Sequence, residues 1–224
     1  SCSQDSPYPK EVDAVLDLAG NNRSELEKVL AHYSKEKKDS LKLKAAYYLI
    51  SKMPGAIYLK STVFESYSEV FKTLETYDYK LILSTDQQKN KEIRSKKFEE
   101  IWRKQESSLG NPRLSVFKSY SDIRTISAPF LIENIDYAFK AWEFPWSRKY
   151  NFNQFCKYIL PYRSNNEPLE PWRAYYFKKL SSVVDSMRHE TDPMVIVKVI
   201  NDWLNQDLGW SKYLAGFERG TLKP

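Results

Sequence analysis

Apolar residues recur at helical spacing along most of this chain of 224 residues. The clearest stripe has the i, i+4, i+7, i+8, i+11 spacing of one helix face and consists of Leu131, Ile135, Ala138, Phe139 and Trp142. The same spacing returns between Tyr176 and Met187. A half-buried strand would instead alternate apolar and polar residues. The pattern therefore predicts an all-α protein, built as a multi-helix bundle or an irregular helical array, in one domain or two subdomains.

Turn residues divide the N-terminal part of this pattern into short helices. A first helix from Val12 is predicted to end at 20–22, where the sequence is Gly-Asn-Asn. Ser24, with Glu27 three residues later, has the spacing of a capping box and is predicted to open the second helix. A third helix is predicted between Asp39 and Pro54. Short polar turns between such helices are typical of an antiparallel bundle or a solenoid-like array.

Further helices are predicted at 62–77 and 86–106, and the Leu-Ile-Leu run between them is either a short strand or a helix end. Gly110 and Pro112 mark the clearest internal break, which is either a hinge between domains or a loop within one. The predicted organisation has a tether at 1–8, an N-terminal helical bundle at 9–106, an aromatic-rich helical module at 114–206 and an irregular tail at 207–224.

The segment 129–173 departs most from an ordinary amphipathic pattern, because prolines break its helices and aromatic rings crowd it. Its candidate binding residues are Trp142, Trp146, Tyr150, Tyr162, Arg163, Trp172 and Arg173. One interpretation is that these rings fill the core and the helix joints. The other is a partly exposed surface that docks a neighbouring domain or stacks on a sugar, because aromatic residues and arginine are enriched at contact sites.

Three motifs within 142–173 carry a family resemblance: W-E-x-P-W, F-x-x-F-C-x-Y-I-L-P-Y-R and N-E-P-L-E-P-W-R. They resemble the N-terminal helical region of transglutaminase-like lipoproteins from gut-type bacteria, and the likeness extends more loosely back to about Val12. In that family a papain-like core with a Cys, His and Asp triad follows the helical region. Pro224 falls about where the resemblance places the start of that core, so no catalytic residue of the family is carried over.

The resemblance implies a non-catalytic accessory or interaction domain of a surface lipoprotein. Its expected partner is the downstream domain of the same polypeptide or another envelope protein. The chain by itself is expected to lack hydrolase and acyl-transferase activity. The alternatives are a free-standing glycan-binding module that uses exposed aromatic residues and a Glu-based glycosidase that uses Glu167 and Glu170, which lie close to Trp172.

The two cysteines have different predicted roles. Cys2 follows the small residue Ser1 and precedes a polar tether, as at a bacterial lipoprotein cleavage site, so lipid attachment is predicted there. That places the protein at the bacterial cell envelope, at the outer membrane or cell surface, held by a lipid anchor alone. Cys156 lies on an apolar helix face with Phe155 and is predicted to be a buried structural thiol.

Charge and ligand spacing argue against several other functions. The net charge of +6 comes from 35 basic and 29 acidic residues, and the two signs alternate without the basic stripe that nucleic-acid binding needs. The mixed-charge helix at 86–106 is interpreted as a solvated face, with an anion-binding patch as the alternative. Two histidines and two cysteines far apart offer no ordinary zinc spacing. We therefore expect no metal, no cofactor and no nucleic acid.

Overall fold

The computed structural model describes residues 6–61, 100, 103, 104, 107, 108 and 117–208. These residues are mostly helical, with one small sheet, so the prediction of an all-α fold is confirmed. Outside them lie Cys2, the predicted helix at 62–77, the run at 81–83, almost all of the mixed-charge helix, most of the break around Gly110 and nearly all of the tail.

The described residues contain nine α-helices and two strands. The helices are α1 (Lys10–Leu18), α2 (Arg23–Ser34), α3 (Ser40–Ser51), α4 (Asp122–Thr125), α5 (Ala128–Trp142), α6 (Phe152–Tyr158), α7 (Trp172–Lys179), α8 (Ser181–Ser186) and α9 (Pro193–Leu208). The strands are β1 (Ile57–Ser61) and β2 (Phe117–Ser121), and 3-10 turns occupy Gly20–Asn22 and Lys37–Asp39.

The two strands pair in an antiparallel ribbon that the sequence pattern did not reveal. The backbone N–H of Asp122 donates to the carbonyl of Ala56 at 3.0 Å. The ring of Tyr58 stacks on that of Tyr120, with centroids 5.2 Å apart. Residue numbers therefore rise along one strand as they fall along the other. Each strand is short, and its partner lies far away in the chain, so neither produces a recognisable local hairpin signal.

The chain divides into two compact units: Ser1–Tyr58 with Tyr120–Thr221, and Leu59–Ser119 with Leu222–Pro224. In the first unit, one hydrophobic core joins helices from before and after the break around Gly110. Buried members of this core include Leu16, Val29, Ile50, Leu131, Ile135 and Phe155. The grouping differs from the sequence boundaries at 106 and 114, because the apolar faces of α1, α2 and α3 are buried together with that of α5.

Capping signals in the sequence predict the start of α5 correctly but not the start of α2. α5 begins after Ser127 with Pro129 in its first turn, where proline is tolerated. The capping box predicted from Ser24 and Glu27 is wrong, because α2 already begins at Arg23 and has no side-chain cap. The side chain of Asn22 instead donates to the carbonyls of Ile123 at 3.1 Å and Ile126 at 2.9 Å. A long-range contact thus anchors this turn.

The stripe between Tyr176 and Met187 belongs to two helices rather than one. α7 ends before Leu180, where the backbone leaves helical geometry at φ −90° and ψ 1°, and α8 follows at once. Leu180 is nevertheless buried, at 8 % exposure. The apolar spacing survives the kink, which is why the pattern alone did not locate it.

Candidate functional site

Trp142 ties the end of α5 to α6. Its indole N–H donates to the backbone carbonyl of Tyr150 at 3.0 Å. Its ring stacks on buried Phe155 at a centroid distance of 4.4 Å and an angle of 20°. Asn151 and Gln154 close the start of α6 with a reciprocal capping box, which satisfies two backbone donors at once. Trp142 and Tyr150 are half-buried, and their described contacts hold the fold together.

Tyr162 and Arg163 converge on Asp122, which is 0 % exposed. The Tyr162 hydroxyl donates to Asp122 Oδ2 at 2.6 Å, and Arg163 Nη2 lies 2.6 Å from the same oxygen. We call these three residues the Asp122 network. Burial raises the pKa of the Asp122 carboxyl, while Tyr162 and Arg163 oppose that rise. Burial and the adjacent carboxylate both raise the pKa of Tyr162.

Trp172 and Arg173 fasten the start of α7 to the loop that contains Tyr162. The Trp172 indole N–H donates to the Tyr162 carbonyl at 2.5 Å. Arg173 Nε donates to Asn134 Oδ1 at 3.0 Å. Its Nη2 donates to the carbonyls of Ile159 at 2.5 Å and Pro161 at 2.8 Å. Burial lowers the pKa of Arg173 to about 10.

The candidate binding residues differ in how far their side chains are buried. Tyr162 is 8 % exposed and the Arg163 side chain is also 8 % exposed, so neither can form the surface predicted for them. Their polar ends are used inside the first unit. Asp122 and Asn134 complete these networks, and neither residue was predicted from the sequence. Asp122 is 40 residues from Tyr162 and Asn134 is 39 from Arg173, so no local motif connects the partners.

Trp146 belongs to a second aromatic cluster that lies outside the main hydrophobic core. We call it the aromatic satellite; its members are Tyr137, Phe144, Trp146 and Phe177, all half-buried. The rings of Phe144 and Trp146 stack at 4.6 Å and 8°. Phe177 continues the cluster at 6.0 Å from Phe144 and 5.2 Å from Tyr137.

Cationic side chains surround the aromatic satellite. The Arg188 guanidinium lies 6.0 Å from the Phe144 ring centroid. Lys140 Nζ lies 4.4 Å and Lys178 Nζ 5.7 Å from the Tyr137 centroid. At such distances a cation is attracted to the negative face of the ring. All three cations belong to exposed residues. Arg188 is paired with Asp185 at 2.7 Å, so Lys140 and Lys178 supply the positive charge beside the satellite.

Cys156 and Glu167 carry reactive groups, and both are buried in contacts that stabilise the fold. Cys156 is 2 % exposed, and burial raises the pKa of its thiol to about 11. Glu167 accepts backbone N–H groups from Ser164 at 2.7 Å and Asn165 at 2.8 Å, one at each carboxylate oxygen. Glu167 therefore stabilises its own loop.

Within the described ranges, no group of three or more His, Cys, Asp or Glu side chains could hold a metal ion. No helix in that part of the chain combines the length and apolar character needed to cross a membrane. Comparison with protein-family models, curated proteins and solved structures gives no match.

Proposed function

We propose that this chain is a helical interaction domain without catalytic groups of its own, which docks a neighbouring protein domain through the aromatic satellite. One observation carries the proposal. Tyr137, Phe144, Trp146 and Phe177 form a continuous ring cluster outside the main core. Cationic side chains lie over two of these rings, those of Tyr137 and Phe144. Aromatic rings with arginine at the centre of a patch and a polar rim are the usual composition of binding hot spots.

The surroundings of the satellite favour tight docking. Trp142 and the Asn151 capping box fix the two sides of the turn that presents Trp146, and Pro145 restricts the turn itself. A surface already held in one conformation loses little entropy when a partner binds. Half-buried rings can also bury their remaining apolar area, at about 25 cal/mol per Å².

The partner that we propose is a papain-like catalytic domain of the same polypeptide or another envelope protein. This part of the proposal comes from the resemblance of the 142–173 motifs to transglutaminase-like lipoproteins. In the same proposal Cys2 carries a lipid that holds the protein at the cell envelope. The structural roles of Cys156 and Glu167 support a division of labour in which catalysis belongs to the partner.

The test compares this chain with the product of the whole reading frame that encodes it, which the proposal predicts to carry the partner domain. Amide hydrogen exchange at 144–147 and around Phe177 is measured in both proteins. The measurement is then repeated on both proteins with the substitution Trp146→Ala. We expect slower exchange at these sites in the complete protein. Trp146→Ala should abolish that protection and split thermal unfolding into separate transitions. Tyr158→Ala is the control, because Tyr158 is 63 % exposed and lies outside the satellite.

Two outcomes would contradict docking. Equal exchange at the satellite in the short and complete proteins would mean that nothing covers it. Glycan-array binding by the short chain that disappears with Trp146→Ala would assign the satellite to the alternative, a free-standing glycan-binding module. A Glu-based glycosidase would instead show sugar release that is lost on Glu167→Gln or Glu170→Gln.

A further inference from the structure

The chain leaves the first compact unit after Tyr58 and returns to it at Tyr120, and Leu59–Ser119 belongs to the second unit. Tyr58 and Tyr120 are cross-strand neighbours in the ribbon of β1 and β2. Their rings stack with centroids 5.2 Å apart and an angle of 13° between the ring planes. The two crossing points therefore lie side by side. A segment can be inserted into a domain without disturbing it where its two ends lie close together in this way.

The register of the ribbon follows from one hydrogen bond. The backbone N–H of Asp122 donates to the carbonyl of Ala56 at 3.0 Å. Hydrogen-bonded pairs recur at every second residue of an antiparallel ladder. The tyrosine pair is therefore the next one, and Lys60 with Lys118 is the one after it, still within β1 and β2. A turn of two residues closes a hairpin when it joins the members of such a pair.

Buried contacts fix the base of the ribbon within the first unit. Tyr58 is 8 % exposed, and the Asp122 network holds the chain directly after β2. Slightly further along, the Asn22 side chain donates to the carbonyls of Ile123 and Ile126. An isolated two-stranded hairpin is at best marginally stable in water, so these contacts keep the two strands paired at this end.

Exposure rises along β2 away from that base. Residues 117–119 are exposed, 120 and 121 are half-buried, and Asp122 is buried. Phe117, at the far end, is 49 % exposed although it is a large apolar residue. The buried contacts described for the ribbon thus lie at its base.

The hydrophobic core of the first unit draws on both flanks of 59–119. In the described part of the chain, its buried members fall within 12–53 and 123–162. Met53 before β1 is 0 % exposed, and Ile123 after β2 is 5 % exposed. The helices of the two flanks pack on one another, since α2 and α3 each contact α5. A segment with a hydrophobic core of its own can fold alone.

We infer that residues 61–117 are an insertion that the first unit does not need in order to fold, and that the ribbon is the conformational device that separates the two. Because first-unit residues hold the base of the ribbon, the two crossing points stay together when the insertion unfolds or is removed. Tyr137, Phe144, Trp146 and Phe177 all belong to the first unit. The aromatic satellite and the insertion are therefore separate parts of the protein, and this inference does not depend on docking at the satellite.

The first experiment unfolds the insertion within the full chain. Val70→Pro and Ile101→Pro, introduced together, interrupt the helices predicted at 62–77 and 86–106, because proline removes a helix hydrogen bond and its ring clashes with the preceding turn. Far-ultraviolet circular dichroism should show the loss of helix. Amide hydrogen exchange in α5 should stay within about tenfold of the native rate, which corresponds to about 1.4 kcal/mol.

Val29→Pro is the matched control for this measurement. Val29 is 0 % exposed and lies in α2, within the core of the first unit. The same kind of substitution there should accelerate exchange in α5 by at least about a hundredfold, because proline in a helix interior is strongly destabilising.

The second experiment replaces 61–117 by the dipeptide Asn-Gly, which favours the two-residue turn of a hairpin. The joint connects Lys60 to Lys118 and so preserves the register of the ribbon. The variant ends at Thr221, because Leu222–Pro224 belongs to the second unit. We expect cooperative thermal unfolding, with exchange in α5 again within about tenfold of the native rate.

A slip of one residue provides the control for the joint. The same dipeptide placed between Leu59 and Lys118 shifts the ladder by one residue, which turns the side chains of one strand to the opposite face. This variant should melt at a lower temperature than the one joined in register.

Two results would overturn the inference. Exchange in α5 that accelerates by more than about tenfold in the doubly substituted full chain would show that the first unit needs the insertion. That result decides the question even where the replacement variant fails to fold, because the full chain contains no artificial joint. Equal melting temperatures for the two joints would show that the register of the ribbon does not separate the two parts.

Discussion

The Arg163 guanidinium lies 2.6 Å from Asp122 Oδ2. Both partners are buried, since Asp122 is 0 % exposed and the Arg163 side chain is 8 % exposed. Removing one member of such a pair leaves an uncompensated buried charge, which costs about 3 to 5 kcal/mol. We expect Arg163→Met to lower the free energy of unfolding by that amount at neutral pH, as measured by urea denaturation. Arg188→Met is the control, since its pair with Asp185 is exposed.

The cost of Arg163→Met should depend on pH. Burial already raises the Asp122 pKa, and loss of the cation raises it further. A carboxyl whose folded pKa exceeds its unfolded value contributes its full stability below the unfolded pKa and loses it as pH rises through the folded pKa. The difference between Arg163→Met and the native chain should therefore narrow as pH falls from neutral toward 4. A difference that stays constant or widens would contradict the assigned role of Asp122.

Tyr162→Phe isolates the hydroxyl that donates to Asp122 at 2.6 Å. A hydrogen bond to a charged group contributes about 1.5 to 3 kcal/mol. We expect a loss of that size in the free energy of unfolding, with the ring packing against Phe130 retained. The matched control is Tyr158→Phe, at a residue that is 63 % exposed. Equal effects of the two changes would show that the Tyr162 hydroxyl has no special partner.

Trp142→Ala and Trp146→Ala should differ in stability. Trp142 packs against the main core and holds the Tyr150 carbonyl, so its truncation should cost about 3 to 5 kcal/mol. Trp146 stacks within the aromatic satellite, and an aromatic pair contributes about 0.5 to 1.5 kcal/mol beyond burial. Urea denaturation of both variants measures the difference. A larger loss for Trp146→Ala would place that ring in the core instead.

Cys156 should react slowly in the native protein. With a pKa of about 11, only about a thousandth of its thiol is ionised at pH 8, against about a quarter for an ordinary cysteine. In a Cys2→Ser background, we expect alkylation by iodoacetamide to be at least a hundredfold slower in buffer than in guanidinium chloride. Fast native alkylation would reveal an accessible thiolate and weaken the structural assignment.

The sequence by itself determined the helical class and several element boundaries. The stripe from Leu131 to Trp142 predicted α5, and the prolines of the segment 129–173 predicted breaks between its helices. It also placed Cys156 on an apolar face, which the structure confirms. These features depend on helix periodicity and on the missing N–H of proline, and both are properties of a few neighbouring residues.

Only the tertiary structure decided which aromatic and charged side chains turn inward. In sequence Tyr162, Arg163 and Trp146 look alike as members of one crowded segment. Tyr162 and Arg163 are buried because both contact Asp122, which lies about 40 residues earlier in the chain. Trp146 instead lies outside the main core, in the aromatic satellite with Phe177. The ribbon of β1 and β2 is equally nonlocal. A buried polar group needs a hydrogen-bond partner, and the partners of Asp122 belong to a distant segment. Its burial therefore depends on how the chain packs rather than on its neighbours in sequence.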